Sequence, residues 1–249
     1  MEVLAIVPAR GGSKRLPGKN VKRIQRRRWL SNQAGQGYFK ELRSLVAIAT
    51  GAAADAPSVG RVVLSTDDKE IQEAAEGHYF YLDYSASEAA HADEQRKLAR
   101  YGGNLCPFIR PAHLATDTAT SEDVIVHAID WLRDEEAYTP DLVVLLQATS
   151  PLRTATDVEM AIDMARTQTL GRRRFVVSKA WTGRRWALNG AIYIGTPDMI
   201  RGMDPLTTAE DGSTVGGWEP CAVYRMPPER SVDIDTAADF DRAEWLASR

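Results

Sequence analysis

Cysteine is scarce in this chain: Cys106 and Cys221 are the only two among 249 residues. Their spacing matches no metal knuckle and no redox pair, so the expectation is reduced thiols in a cytoplasmic protein. The four histidines, His78, His91, His113 and His127, form no metal-ligand set either. No apolar run is long enough to cross a bilayer, and Met1 leads almost directly into a strand without the pattern of a leader peptide. A soluble protein with no membrane contact is therefore expected. Neither sign of charge dominates, with 31 Lys plus Arg against 34 Asp plus Glu. That balance removes the global basic field that a nucleic-acid partner would need. Internal repeats and low-complexity tracts are absent as well.

Positive charge is concentrated at one place instead. The opening reads Ala5-Ile-Val-Pro-Ala-Arg-Gly-Gly-Ser-Lys-Arg-Leu-Pro-Gly-Lys-Asn20. An apolar run, Val3 to Val7, is broken by Pro and Gly, as where a buried strand leaves a sheet. Ligands of open α/β sheets bind at such strand ends. Glycines admit close approach of backbone N–H groups to phosphate, and Arg10, Lys14, Arg15 and Lys19 can neutralise a triphosphate. The loop is not a P-loop. Ser-Lys-Arg-Leu-Pro separates Gly12 from Gly18, and Asn20 stands where that motif places its magnesium-binding hydroxyl. The alternative is a solvated basic loop, the reading given to the second cluster, Lys22, Arg23 and Arg26 to Arg28.

Strands are expected at Val3–Val7, Arg61–Ser65, Leu142–Leu146, Phe175–Ser178, Ala191–Ile194 and Ala222–Met226. Helices fall between them. One begins at Asp67/Asp68, and another spans about Ser121 to Glu135 with Val124, Ile125, Ala128, Ile129 and Leu132 on one face. Thr120 with Asp123, Thr154 with Asp157 and Thr236 with Asp239 each carry the Ser/Thr-x-x-acid signature of a helix start. Such alternation predicts an α/β chain with a mostly parallel sheet covered on both faces, residues 1–249 forming one domain.

Asp233 and Asp235 are the sharpest chemical pair. On extended chain, side chains at i and i+2 share a face about 6–7 Å apart along the strand. Two carboxylates so placed can share one Mg²⁺ and its waters. The competing reading is that Asp235 merely caps the helix that starts near Thr236.

Six blocks in order resemble the cytidylyltransferases that activate nonulosonic acids, the CMP-N-acetylneuraminate synthetase family. They are Pro8 to Asn20, Val62-Val-Leu-Ser-Thr-Asp-Asp68, Phe108-Ile-Arg-Pro-Ala-His-Leu-Ala-Thr-Asp-Thr118, Leu145-Leu-Gln-Ala-Thr-Ser-Pro-Leu-Arg153, Asn189-Gly-Ala-Ile-Tyr-Ile194 and Glu229-Arg-Ser-Val-Asp-Ile-Asp235. The resemblance implies a three-layer α/β/α nucleotidyltransferase fold, Rossmann-like. It implies transfer of CMP from CTP to the anomeric hydroxyl of N-acetylneuraminate or a related acid, with release of pyrophosphate. Legionaminate and pseudaminate are the alternatives inside the class, and an inactive nucleotide-binding homologue is the alternative outside it.

Carried over residue by residue, Arg10, Gly11, Ser13, Lys14, Lys19 and Asn20 correspond to CTP ligands, with Arg10 and Lys14 also catalytic. Ser65 and Thr66 contact base or ribose, or else cap the next helix. Gln147, Thr149, Ser150 and Asn189 correspond to the sugar site. Asp233 and Asp235 hold Mg²⁺, for which Mn²⁺ can substitute, and Asp235 or a metal-bound water accepts the sugar's proton. Arg110 and Arg153 serve the sugar carboxylate or make structural ion pairs. No residue is assigned to cytosine N4. Three stretches depart from the pattern. Gln25 to Gly60 does not align with the family's first helix, and residues 77–99 read as an insertion. The family's dimerisation arm, and with it the implied homodimer, is cut short at residues 178–188.

Overall fold

Val3, Leu4, Ala5, Ile6 and Val7 are all fully buried, which makes their strand the centre of the molecule. The computed structural model of the chain describes the backbone of residues 1–32, 35–76, 80–81, 101–169, 175–202, 207–208, 214–215 and 221–249. Side chains are described outside 28–40, 77–100, 168–174 and 203–220. In chain order the first elements are β1 (Val3–Pro8), β2 (Arg23–Asn32), β3 (Gly35–Ser44), α1 (Leu45–Ala54), β4 (Arg61–Ser65), α2 (Lys69–Glu76) and β5 (Phe80–Tyr81). Next come α3 (Ser121–Glu136), β6 (Leu142–Leu145), α4 (Ala155–Thr169), β7 (Phe175–Trp181), β8 (Trp186–Gly195) and α5 (Pro197–Arg201). The short strands β9 (Thr207–Thr208) and β10 (Thr214–Val215) precede β11 (Cys221–Met226) and α6 (Ala237–Ala247).

The main sheet has the order β11-β7-β8-β6-β1-β4. Parallel pairs join β1 to β4, β1 to β6 and β11 to β7, while β8 runs antiparallel to both β6 and β7. The sheet is thus mostly parallel, as its sequence predicts, with β8 the one reversed strand. Alternation along β1 divides the core. Val3, Ala5 and Val7 pack on one face with side chains of α1, α2 and α4, whereas Leu4 and Ile6 pack on the other with α3 and Ile200 of α5. Each fully buried Val, Leu or Ile contributes roughly 1.5–3 kcal/mol, so this two-sided strand anchors all three layers.

All six expected strands are present, with β7 and β8 longer than read. The predicted caps also form. Thr120 and Thr236 each complete a reciprocal capping box with Asp123 and Asp239. Thr154 accepts from the Asp157 N–H at 3.2 Å and donates from its own N–H to the Asp157 carboxylate at 2.9 Å.

The departures take definite forms. Where the resemblance implies a helix after the first loop, β2 and β3 instead pair antiparallel from Arg23↔Ser44 to Asn32↔Gly35. The helix that follows, α1, is buried almost all round, from Leu45 to Ala54. The arm region is a tight turn, with Thr182 N–H donating to the Arg185 carbonyl at 3.0 Å between β7 and β8. Of the insertion read at 77–99, only Phe80–Tyr81 lies among the described residues, and it pairs with Leu42 and Glu41 of β3.

Candidate active site

The sheet's parallel half changes direction of winding at β1, which has β4 on one side and β6 on the other. Ligands of such sheets sit beyond the carboxyl ends of strands at that point. A cleft of about 640 Å³ opens there. Its lining includes Arg10, Ser13, Lys14, Arg15, Lys19 and Asn20 from the first loop, Gln147 and Thr149 from beyond β6, and both Asp233 and Asp235. Two segments at opposite ends of the sequence therefore share one concave wall.

Local chemistry explains how each arrives. Gly18 adopts φ +66°, the left-handed conformation that glycine takes without strain, and starts a 3₁₀ turn over Lys19–Val21. That turn aims Lys19 inward, where its ammonium donates to the Ile234 carbonyl at 3.0 Å and to Asp235 Oδ1 at 3.2 Å. Asn20 is buried, and its Nδ2 donates to the Arg10 carbonyl at 2.9 Å, closing the loop on itself. Gly11 N–H donates to Asp67 Oδ1 at 2.9 Å, tying the loop to the start of α2.

On the acidic side, Val232 and Ile234 are buried and alternate with the two carboxylates, as extended chain requires. Ile234 N–H donates to the Thr149 carbonyl at 2.8 Å, fixing the segment against the β6 loop. The cap of α6 is Thr236, so the carboxylate of Asp235 is left for Lys19 and for Arg15, whose Nη1 lies 2.9 Å from Asp235 Oδ2. Asp233 opens to the cleft at the foot of a protein wall. Desolvation there raises its carboxyl above the ordinary range, a hydrogen bond with Thr149 opposes that rise, and the charge of Asp235 adds to it.

A divalent cation fits this donor set. Among the described residues no group of three or more His, Cys, Asp or Glu side chains could enclose a metal. Two carboxylates facing a basic cleft instead suit Mg²⁺, which uses one or two carboxylates and completes its shell with phosphate oxygens and water. Gly190 keeps room beside them: a Cβ there would stand 2.7 Å from Gln147 Oε1 and 3.3 Å from Asp233 Oδ2. The lining holds five cations, Arg10, Lys14, Arg15, Lys19 and Arg110, against three carboxylates, Asp117, Asp233 and Asp235. That surplus favours a polyanion.

Other candidate residues lie behind the wall. Ser65 and Thr66 are fully buried and do not line the cleft. The Ser65 hydroxyl accepts from Arg110 Nε at 3.1 Å and its carbonyl from Arg110 Nη2, while Thr66 Oγ1 accepts from Asp68 N–H at 3.2 Å. Thr66 thus serves the turn into α2, whose cap is the Asp68 carboxylate. Ser150 is buried with its hydroxyl 3.4 Å from the Asn189 carbonyl. The Asn189 amide is committed internally, accepting from Ser178 Oγ at 2.6 Å and donating to Ser231 Oγ at 3.0 Å. Arg153 is wholly buried and donates to the Gln147 and Ala191 carbonyls at 3.2 and 2.8 Å, bracing the loop from behind. Burial pushes it down to about 10. Arg110 does reach the cleft, and burial lowers it likewise to about 10, with Asp67 opposing and Arg10 reinforcing. Asp117, which also lines the cleft, carries no assigned role in the sequence, although it lies inside a quoted block.

Residues 4–31 match the sequence model of the cytidylyltransferase family. The chain is 32% identical over 166 residues to the CMP-N,N'-diacetyllegionaminic acid synthase of Legionella pneumophila, covering 66% of this chain and 53% of that protein. It is 31% identical over 156 residues to the pseudaminic acid cytidylyltransferase of Campylobacter jejuni, covering 61% and 48%. The chain thus spans about half the length of these curated relatives. Among solved structures, a CMP:2-keto-3-deoxy-manno-octonic acid synthetase complexed with CTP superposes with a TM-score of 0.58 at 14% identity. That superposition covers 99% of this chain and 98% of the other, and it shows the nucleotidyltransferase fold.

Proposed function

We propose that this chain, which belongs to the cytidylyltransferase family, transfers CMP from CTP to the anomeric hydroxyl of a nonulosonic acid and releases pyrophosphate. The acid is N-acetylneuraminate or a relative such as legionaminate or pseudaminate. One observation carries the reading: the basic loop after β1 and the carboxylates before α6 line the same cleft.

In this scheme Arg10 and Lys14 hold the β- and γ-phosphates, and Lys19 and the loop amides hold the nucleotide beside them. Gln147 and Thr149 line the acceptor side, with Asn189 and Ser150 supporting them from behind. Asp233 and Asp235 hold Mg²⁺, which when bound neutralises phosphate charge and keeps the triphosphate in one orientation. The acceptor oxygen attacks the α-phosphorus, and the bond to the pyrophosphate oxygen breaks. Asp235 takes the hydroxyl proton, directly or through a water, while the loop cations absorb charge developing on the leaving group. Catalysis of this type rests on positioning and electrostatics.

The test is pyrophosphate release from CTP and Mg²⁺ with a panel of purified acids, together with detection of the CMP conjugate. Turnover is expected with at least one acid, and Asp233→Asn is expected to reduce it on the order of 10²-fold or more without unfolding the protein. A protein that binds CTP but releases no pyrophosphate with any acid would overturn the reading.

A further inference from the structure

Every cation of the first loop is already engaged inside the cleft. Arg15 and Lys19 share the two oxygens of Asp235. Arg10 and Lys14 share the two oxygens of Asp117, with Arg10 Nη2 on Oδ1 at 2.5 Å and Lys14 Nζ on Oδ2. Asp117 thus stands on the same two side chains that the proposed function gives to the β- and γ-phosphates. A carboxylate bridging two cations offers them anionic acceptor oxygens, as a phosphate group does, but with less charge and fewer oxygens.

The segment carrying Asp117 is built to present it. The Thr116 hydroxyl donates to the His113 carbonyl at 3.3 Å and accepts from Ala119 N–H at 3.2 Å, bracing a short turn. That turn follows Arg110, itself held on Ser65, and leads into the Thr120 cap of α3. Arg10 also donates to the Ala115 carbonyl at 3.3 Å, which keeps the tip within reach. The Asp117 side chain is nonetheless about half exposed, at 47%. Hydrogen bonds from Lys14 and then Arg10 hold its carboxyl below the usual range, so it carries charge throughout the neutral region. Pairs this exposed are individually weak and open readily to a stronger anion.

We propose that Asp117 is a tethered competitor for the phosphate-binding cations: substrate displaces it, and it returns to Arg10 and Lys14 as pyrophosphate leaves. The triphosphate arrives with nucleoside contacts that help it prevail, whereas pyrophosphate has only its charge. Displacing Asp117 lowers the affinity of both anions by one common factor, which leaves pyrophosphate, without nucleoside contacts, the ligand that is released. This inference rests on reading the loop as a triphosphate cradle, and it deepens that reading by assigning a residue that governs release.

Calorimetric titration of the intact protein with inorganic pyrophosphate, without acid substrate, tests it directly. Asp117→Asn and Asp117→Ser are expected to bind pyrophosphate about three- to tenfold more tightly than wild type. Pyrophosphate inhibition of turnover should strengthen by a similar factor. A residue that merely ordered the loop would give the opposite sign, because its loss would loosen the site. Unchanged or weaker pyrophosphate binding in both variants overturns the proposal. Tighter binding in variants of a protein that makes no CMP conjugate would keep Asp117's role and overturn the transferase reading instead. Wild-type protein that retains neither pyrophosphate nor CTP would overturn the cradle and the competitor together.

Discussion

Gly190 stands at φ +72° between a residue committed to the scaffold and two that face the cleft. An alanine there would meet Gln147 Oε1 and Asp233 Oδ2 while its backbone resisted the left-handed conformation. Gly190→Ala is expected to cost about 1–2 kcal/mol in denaturant unfolding and to depress the proposed metal-dependent turnover. Unaltered turnover would show that the gap above Asp233 is not needed. At this scale the sequence is legible only where backbone pattern dictates direction. Val232 and Ile234 must enter the core, so Asp233 and Asp235 must leave it, and the pair could be read from spacing. Ser65 ends β4, Thr66 and Ser150 lie beyond strand ends and Asn189 lies within β8, yet spacing does not say which neighbour consumes a hydroxyl or an amide. Arg110 and Ser231 settle that through contacts distant in the chain.

Among elements, the clearest structural tie joins α4 to the segment after β11. Asp157 is 1% exposed, and its carboxylate accepts from Arg230 at 2.7 and 3.0 Å and from the Tyr224 hydroxyl at 2.8 Å. Burial alone would raise this carboxyl, but donation from Arg230, Thr154 and Tyr224 brings it below the ordinary value. A depressed acid stabilises the fold above its unfolded pKa, about 3.9, and loses that contribution as pH falls through the folded value. Arg230→Ala should cost about 2–3 kcal/mol near neutrality, short of the full penalty for a buried pair because the guanidinium is partly exposed. The deficit should shrink in acid, since wild type then loses the same contribution. Denaturation curves at neutral and strongly acid pH measure both, and a deficit independent of pH would contradict the linkage.

Element identity was legible for the reasons that make these strands and helices stable. Short β-branched runs flanked by turns, and helices opened by Thr-x-x-Asp, appear where the residues call for them. The segment from Arg23 to Ala54 was opaque for an equally physical reason. Helix α1, Leu-Val-Ala-Ile-Ala-Thr-Gly-Ala-Ala-Ala, is apolar on nearly every side because it lies beneath other elements, so it shows no amphipathic period. The β2–β3 pair is rich in arginine, and that pattern reads as a solvated surface.

For the whole molecule, the sheet explains why the first loop and the final acidic segment can meet. Because β1 is central and α6 packs beside α1 and the base of β2, the last turn before α6 is carried back to the first loop. Ile24, Leu45, Ile48, Val232, Ile234 and Ala243 form that shared seam. Substitutions in this seam should therefore disturb the site without touching any ligand-facing group.

Lys19 and Asp235 meet across 216 positions of sequence. In synthesis from the N-terminus the first-loop cations of the cleft are made first and its carboxylates Asp233 and Asp235 more than two hundred residues later. The cleft is therefore complete only when the segment that packs Val232 and Ile234 against Ile24 and Leu45 has been added.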